Sequence, residues 1–118
     1  MKQNFSPPII VNKVTEFYKE IYILNKKLTK QEKFSMGRKI EGICLDCQSL
    51  SIEATLSKDK IETVKKLRIK TEILKSLIRI LEELKIINIK RYLALQEKIQ
   101  EISKMATGWQ KYIDKEPK

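Results

Sequence analysis

Apolar residues recur along this chain at spacings of three and four, and short polar stretches break the rhythm three times. Val14, Phe17, Ile21, Leu24 and Leu28 mark a first amphipathic helix over about residues 10–27. Tyr18 and Tyr22 flank that stripe, as core-edge residues or as a subunit contact. Thr29-Lys30-Gln31-Glu32 has the form of a capping box, in which the Thr hydroxyl takes an amide and the Glu carboxylate reaches back. It should open a second helix running to about Leu56, with Met36, Ile40, Ile43, Cys47, Leu50 and Ala54 facing inward. Residues 61–84 form the longest uninterrupted stretch of helix formers. There Leu67, Leu74, Leu77, Ile78, Leu81 and Leu84 share one face. Tyr92, Leu95, Ile99, Ile102, Ala106, Trp109 and Ile113 then follow at 3-4-3-4-3-4, the cleanest heptad pattern in the chain.

The breaks between these stripes are short. Ser57-Lys58-Asp59-Lys60 makes one turn, with Ser57 as the expected N-cap of the third helix, and Asn88 is the expected cap of the fourth. Connections this short force antiparallel neighbours, so the expected fold is all-α, an up-down-up-down four-helix bundle over residues 10–114. Residues 1–9 read as an arm and 115–118 as a tail. Gly37 and Gly42 sit inside the second helix, where each costs roughly 1 kcal/mol relative to Ala, so each is expected to admit the close approach of another backbone. The third helix carries a second apolar strip, Ile69, Ile73 and Ile80. A helix buried on more than one side predicts a homo-oligomer.

Composition adds one strong feature. Twenty-five Lys and Arg against 15 Asp and Glu give a net charge of +10 in 118 residues, which favours a polyanionic partner such as nucleic acid. The excess is uneven: residues 57–86 carry nine basic and five acidic side chains, whereas residues 29–56 carry four of each. Lys65, Arg68, Lys75 and Arg79 fall within about a quarter-turn on the third helix, with Glu72 among them. Lys104 and Lys111 share an outer face of the fourth helix. These six, with Lys26 in addition, are the candidate contacts to phosphates. Trp109 lies on the heptad stripe, where burial is expected rather than stacking on bases.

Catalytic and metal chemistry find little footing. The chain has no His, so neither a Cys/His zinc site nor a Glu-x-x-His di-metal site can be built within one chain. Cys44 and Cys47 form a CxxC in mid-helix, a packing position rather than a redox motif. No cofactor and no small-molecule substrate are expected. No signal peptide or span of ~20 apolar residues is present, so a reducing cytoplasm is the expected compartment and no membrane the expected partner.

Three stretches in register resemble a known family. Leu28-Thr29-Lys30-Gln31-Glu32-Lys33-Phe34-Ser35-Met36-Gly37-Arg38-Lys39-Ile40 is similar to the opening of the second helix in the accessory variability determinant proteins of diversity-generating retroelements. Residues 67–84 resemble their third helix, and Ile102-Ser103-Lys104-Met105-Ala106-Thr107-Gly108-Trp109 their closing motif, with Thr107 where that family tends to have Gly. The resemblance implies a basic homopentamer of four-helix bundles without catalytic activity. Its partners would be the retroelement's reverse transcriptase and template RNA or cDNA, in support of mutagenic reverse transcription. A sister family of the same bundle, encoded in intervening sequences of ribosomal RNA genes, carries a Ser-Asn-Ile-Ala-Glu-Gly turn. This chain reads Leu50-Ser51-Ile52-Glu53-Ala54-Thr55 there instead. That sister family, and a structural oligomer binding only protein, are the alternatives.

Overall fold

In the computed structural model, which describes residues 9–115, the chain forms four helices in antiparallel sequence. They are α1 (Ile9–Lys26), α2 (residues 30–56), α3 (Ile61–Glu83) and α4 (Ile89–Lys115). Helix α2 is not regular: a π-helical turn, Lys33–Gly37, separates its first turn, Lys30–Glu32, from the long segment Arg38–Leu56. Each helix packs on the next in sequence, most extensively α3 on α4, and α1 closes the ring against α4. The seam between α1 and α2 therefore lies on the opposite side of the bundle from the seam between α3 and α4. The result is a rod of 49 × 29 × 22 Å. Its radius of gyration of 15.5 Å exceeds the roughly 13.5 Å of a spherical domain of this length.

The core follows the predicted stripes. Phe17, Ile21, Ile40, Leu67, Leu74, Ile78, Leu81, Leu95 and Ile99 are all fully enclosed, and each buried side chain of this size contributes about 1.5–3 kcal/mol against the entropy of ordering it. Ion pairs cross the outer edges of the seams: Lys13 with Glu101 at 3.0 Å and Arg91 with Glu20 at 3.9 Å between α1 and α4, and Lys70 with Asp46 at 3.1 Å between α2 and α3. All are solvated and contribute little, about 0–1 kcal/mol each.

Helix ends explain where the expected boundaries hold and where they move. The capping box is formed at both arms: Thr29 Oγ1 accepts from the Glu32 amide at 3.1 Å, and Glu32 Oε1 accepts from the Thr29 amide at 3.0 Å. Asn88 caps α4 by accepting from the Arg91 amide at 2.8 Å. Ser57 does not cap α3. It stands at the C-cap of α2, and its hydroxyl closes a small turn with Asp59, accepting from that amide and donating to that carbonyl. Helix α3 starts later, after Lys60, whose ammonium donates to the Ala54 and Ser57 carbonyls, both at 2.7 Å. One cation thus satisfies the orphan carbonyls that end α2.

One expected core position, Leu84, is exposed instead, and a residue of the connection, Ile87, is buried. Helix α3 ends in a Schellman motif: the Ile86 amide donates to Leu81 O at 2.8 Å and the Lys85 amide to Glu82 O at 2.9 Å, with Lys85 at φ 61°. That reversal turns Leu84 outward, 62% exposed, and tucks Ile87 under the end of the bundle, 6% exposed. The glycines also depart from expectation. A Cβ on Gly37 would meet the Asn25 side chain at 3.1 Å, so a side chain rather than a backbone makes the close approach, and a Cβ on Gly42 would meet nothing within 4 Å. The expected arm falls almost wholly outside the described residues, since Ile9 already belongs to α1. Residues 116–118 of the expected tail lie outside them too.

Candidate nucleic-acid interface

Helices α3 and α4 make the widest contact in the bundle, and two of the basic residues singled out in the sequence, Arg68 and Lys75, border it. Along this seam Arg68 Nη1 donates to Gln110 Oε1 at 2.7 Å. Ser103 Oγ donates to Glu72 Oε2 at 3.3 Å, and Gln96 Nε2 donates to the Lys75 carbonyl at 3.1 Å. Arg68 and Lys75 on α3 are thus laid against α4, at the seam itself. Lys104 and Lys111, each one residue after a seam position and so about 100° further round the helix, point outward and are exposed on the outer face of α4. Lys65 and Arg79 extend that row at either end of α3, one turn before Arg68 and one turn after Lys75.

These cations are not equally available. Lys75 Nζ donates to Glu72 Oε2 at 2.9 Å, and its side chain is only 20% exposed. The hydrogen bond from Lys75 is the largest influence on Glu72. With the smaller contributions of Ser103 and the Arg68 charge, it holds the Glu72 carboxyl below its ordinary range despite some desolvation. Glu72 is therefore an anion at neutral pH and offsets part of Lys75. Lys65 lies 3.9 Å from Glu62 in a loose, exposed pair that a phosphate can displace. Arg79, Lys104 and Lys111 are exposed and make no ion pair among the described residues.

Lys26 belongs elsewhere. It sits at the end of α1 on the α1/α2 seam, on the far side of the bundle, with Nζ 5.1 Å from the centre of the Tyr22 ring. There it helps line a hollow of about 290 Å³ with Lys33 and Phe34 from the π-helical turn of α2 and Arg38 directly after it. Those three residues escaped the helical-periodicity reading. Their signal in the sequence is an exposed aromatic directly after one cation and four residues before another.

Among the described residues no group of three or more His, Cys, Asp or Glu side chains could hold a metal ion, and no helix is long and apolar enough to cross a membrane. Cys44 and Cys47 are free thiols within the core. Burial raises both: the Cys47 thiol is pushed up to about 12 and Cys44 higher still, the opposite of what a nucleophilic or redox cysteine needs.

The protein is thus an antiparallel bundle of four helices with exposed cations on α3 and α4. Its sequence matches the family described as bAvd-like over residues 8–113, and the chain belongs to that family. No curated protein matches the chain. Among solved structures, it is similar to a protein of unknown function from the S23 ribosomal protein family of Bacteroides thetaiotaomicron. The TM-score is 0.80 at 20% identity, over 87% of this chain and 96% of that one. At that identity the likeness concerns the fold.

Proposed function

We propose that this protein is a non-catalytic adaptor of a diversity-generating retroelement, holding template RNA or cDNA and the reverse transcriptase on its surface. What supports this reading is membership of the bAvd-like family together with the exposed cations Arg68, Arg79, Lys104 and Lys111 on the two helices that pack most extensively on each other. Rigid helices space these cations while leaving their heads in water, the arrangement that favours phosphate contact without base reading. Lys65 and Lys75 reinforce the same face. The exposed strip of Ile69 (59%) and Ile73 (38%) supports assembly with further copies, a homopentamer by family resemblance.

The direct test is binding of the retroelement RNA to the purified protein across a salt series. Affinity should fall steeply with salt, and Arg68→Glu with Arg79→Glu should lower it at least tenfold at unchanged helicity. The slope of log affinity against log salt should shrink by roughly two in magnitude, about one per lost contact. Unchanged affinity in the double variant would remove the seam from the interface. Light scattering at a mass other than about five chains would remove the pentamer.

A further inference from the structure

The hollow on the α1/α2 seam has a composition that the α3/α4 seam lacks, because it combines cations with accessible aromatic rings. Phe34 is 57% exposed and Tyr22 47% exposed, at positions where a helix facing only water would place polar side chains. Arg38 lies over Phe34 with its guanidinium carbon 4.9 Å from the ring centre, and Lys26 lies over Tyr22. Lys33 completes the rim. None of these three cations forms an ion pair among the described residues, and the single carboxylate in the hollow, Glu41, is engaged by the Asn25 amide at 2.6 Å.

The local backbone builds this shape. In the π-helical turn the Arg38 amide reaches back five residues to the Lys33 carbonyl, which stacks Arg38 one wide turn above Lys33. Asn25, 7% exposed, donates to the Gly37 carbonyl at 2.9 Å and to Glu41, and so ties the turn to α1. The floor is fixed by buried hydrogen bonds while the rim consists of charged and aromatic groups. At about 290 Å³ the hollow is at the lower limit for small-molecule pockets, roughly 300–1,000 Å³, and suits one planar base rather than a larger ligand.

We infer that this hollow takes one unpaired nucleotide of a single-stranded nucleic acid, its base stacked on the Phe34–Arg38 layer and its phosphate held by Lys26 and Lys33. An exposed aromatic face with adjoining cations is what single-strand binding uses, because every base offers a π-face and every nucleotide a phosphate. Duplex, whose bases are already stacked, gains nothing from Phe34. This site lies on the opposite side of the bundle from the α3/α4 seam and does not depend on it.

The test uses the full chain with short RNA and DNA oligonucleotides of one sequence, each carrying a single 2-aminopurine, and a duplex of matched length. The single strands should bind with quenching of 2-aminopurine. Phe34→Leu, which keeps an apolar side chain at an exposed position, should weaken that binding roughly five- to 150-fold and abolish the quenching, with duplex affinity unchanged. The RNA and DNA arms decide which strand is preferred. Arg68→Glu with Arg79→Glu should leave the quenching in place, so the two surfaces fail or succeed separately. Absence of quenching with the native protein, or equal affinity in Phe34→Leu, would overturn the inference. So would Phe34-dependent binding of a poly-glutamate peptide without any response to oligonucleotides, which would make the hollow a seat for an acidic protein.

Discussion

Three glycines lie inside helices of this bundle, and replacing each with alanine should not give the same sign. At Gly42 and Gly108 an added Cβ meets nothing within 4 Å, so the substitution gains helix propensity alone, about 0.8–1 kcal/mol each. At Gly37 the new Cβ would sit 3.1 Å from Asn25 Oδ1 and 3.2 Å from Cγ and Nδ2. A free surface amide would swing aside. Asn25 is buried and pinned by hydrogen bonds to the Gly37 carbonyl and to Glu41, so moving it weakens both. Overpacking of this kind costs about 1–3 kcal/mol, which outweighs the propensity gain and leaves Gly37→Ala destabilised by about 1 kcal/mol. The difference between Gly37→Ala and Gly42→Ala should therefore be about 2 kcal/mol. Urea unfolding followed by circular dichroism at one fixed protein concentration measures it. In an Asn25→Ala background the obstacle is gone, and Gly37→Ala should reverse sign to stabilise by about 1 kcal/mol, a coupling well outside additivity. If Gly37→Ala stabilises the native protein as Gly42→Ala does, Asn25 is not held as described and the reasoning fails.

Two further substitutions probe the helix ends and the core. Lys85 occupies the left-handed position of the Schellman motif, where a Cβ costs about 1 kcal/mol or more, so Lys85→Gly should stabilise by a few tenths to about 1 kcal/mol after the entropy of glycine is offset; lowered stability in a urea titration would contradict the assigned turn. The buried thiols should react with a disulfide reagent far more slowly in the native protein than in urea, and comparable rates would refute their enclosure. Because folding raises both thiols above the ordinary value of 9.0, the unfolded chain releases those protons first. Their contribution to stability is therefore intact below about pH 9 and lost as pH rises toward 12 and beyond. A Cys44→Ala, Cys47→Ala double variant should lack that part of the alkaline fall.

Most of the bundle was legible because burial repeats along a helix at 3.6 residues per turn. The stripes through Phe17, Leu74 and Ile99 need no tertiary information. The capping box at Thr29 and the cap at Asn88 are equally local. What escaped the pattern depends on contacts distant in sequence or on a change of period. Five residues of π-helix are too few to disturb a hydrophobic repeat, so Lys33, Phe34 and Arg38 gave no periodic sign of lying together. Asn25 carried a hint, being polar four residues after Ile21 on the core stripe, but its partner is twelve residues away across a turn. The outward Leu84 and inward Ile87 depend on a left-handed lysine, which sequence statistics assign to glycine. That Lys26 lies on a different side of the bundle from the α3 cations was not legible either: a helical wheel gives the face of one helix and not the side of the bundle that face joins.

The cyclic order of the helices has a consequence for how the chain reaches this state. Three of the four seams join helices adjacent in sequence through turns of only a few residues, so the loops closed in forming them are short and their entropic cost is small. The bundle is in this sense a low-contact-order topology, the class whose conformational search is brief. The fourth seam, α1 against α4, is the exception, since it joins the two ends of the described chain. Once α2 and α3 have zipped onto their neighbours, the span between α1 and α4 is no longer a long flexible loop but a rigid pair of helices. The Lys13–Glu101 and Arg91–Glu20 pairs lie along that seam.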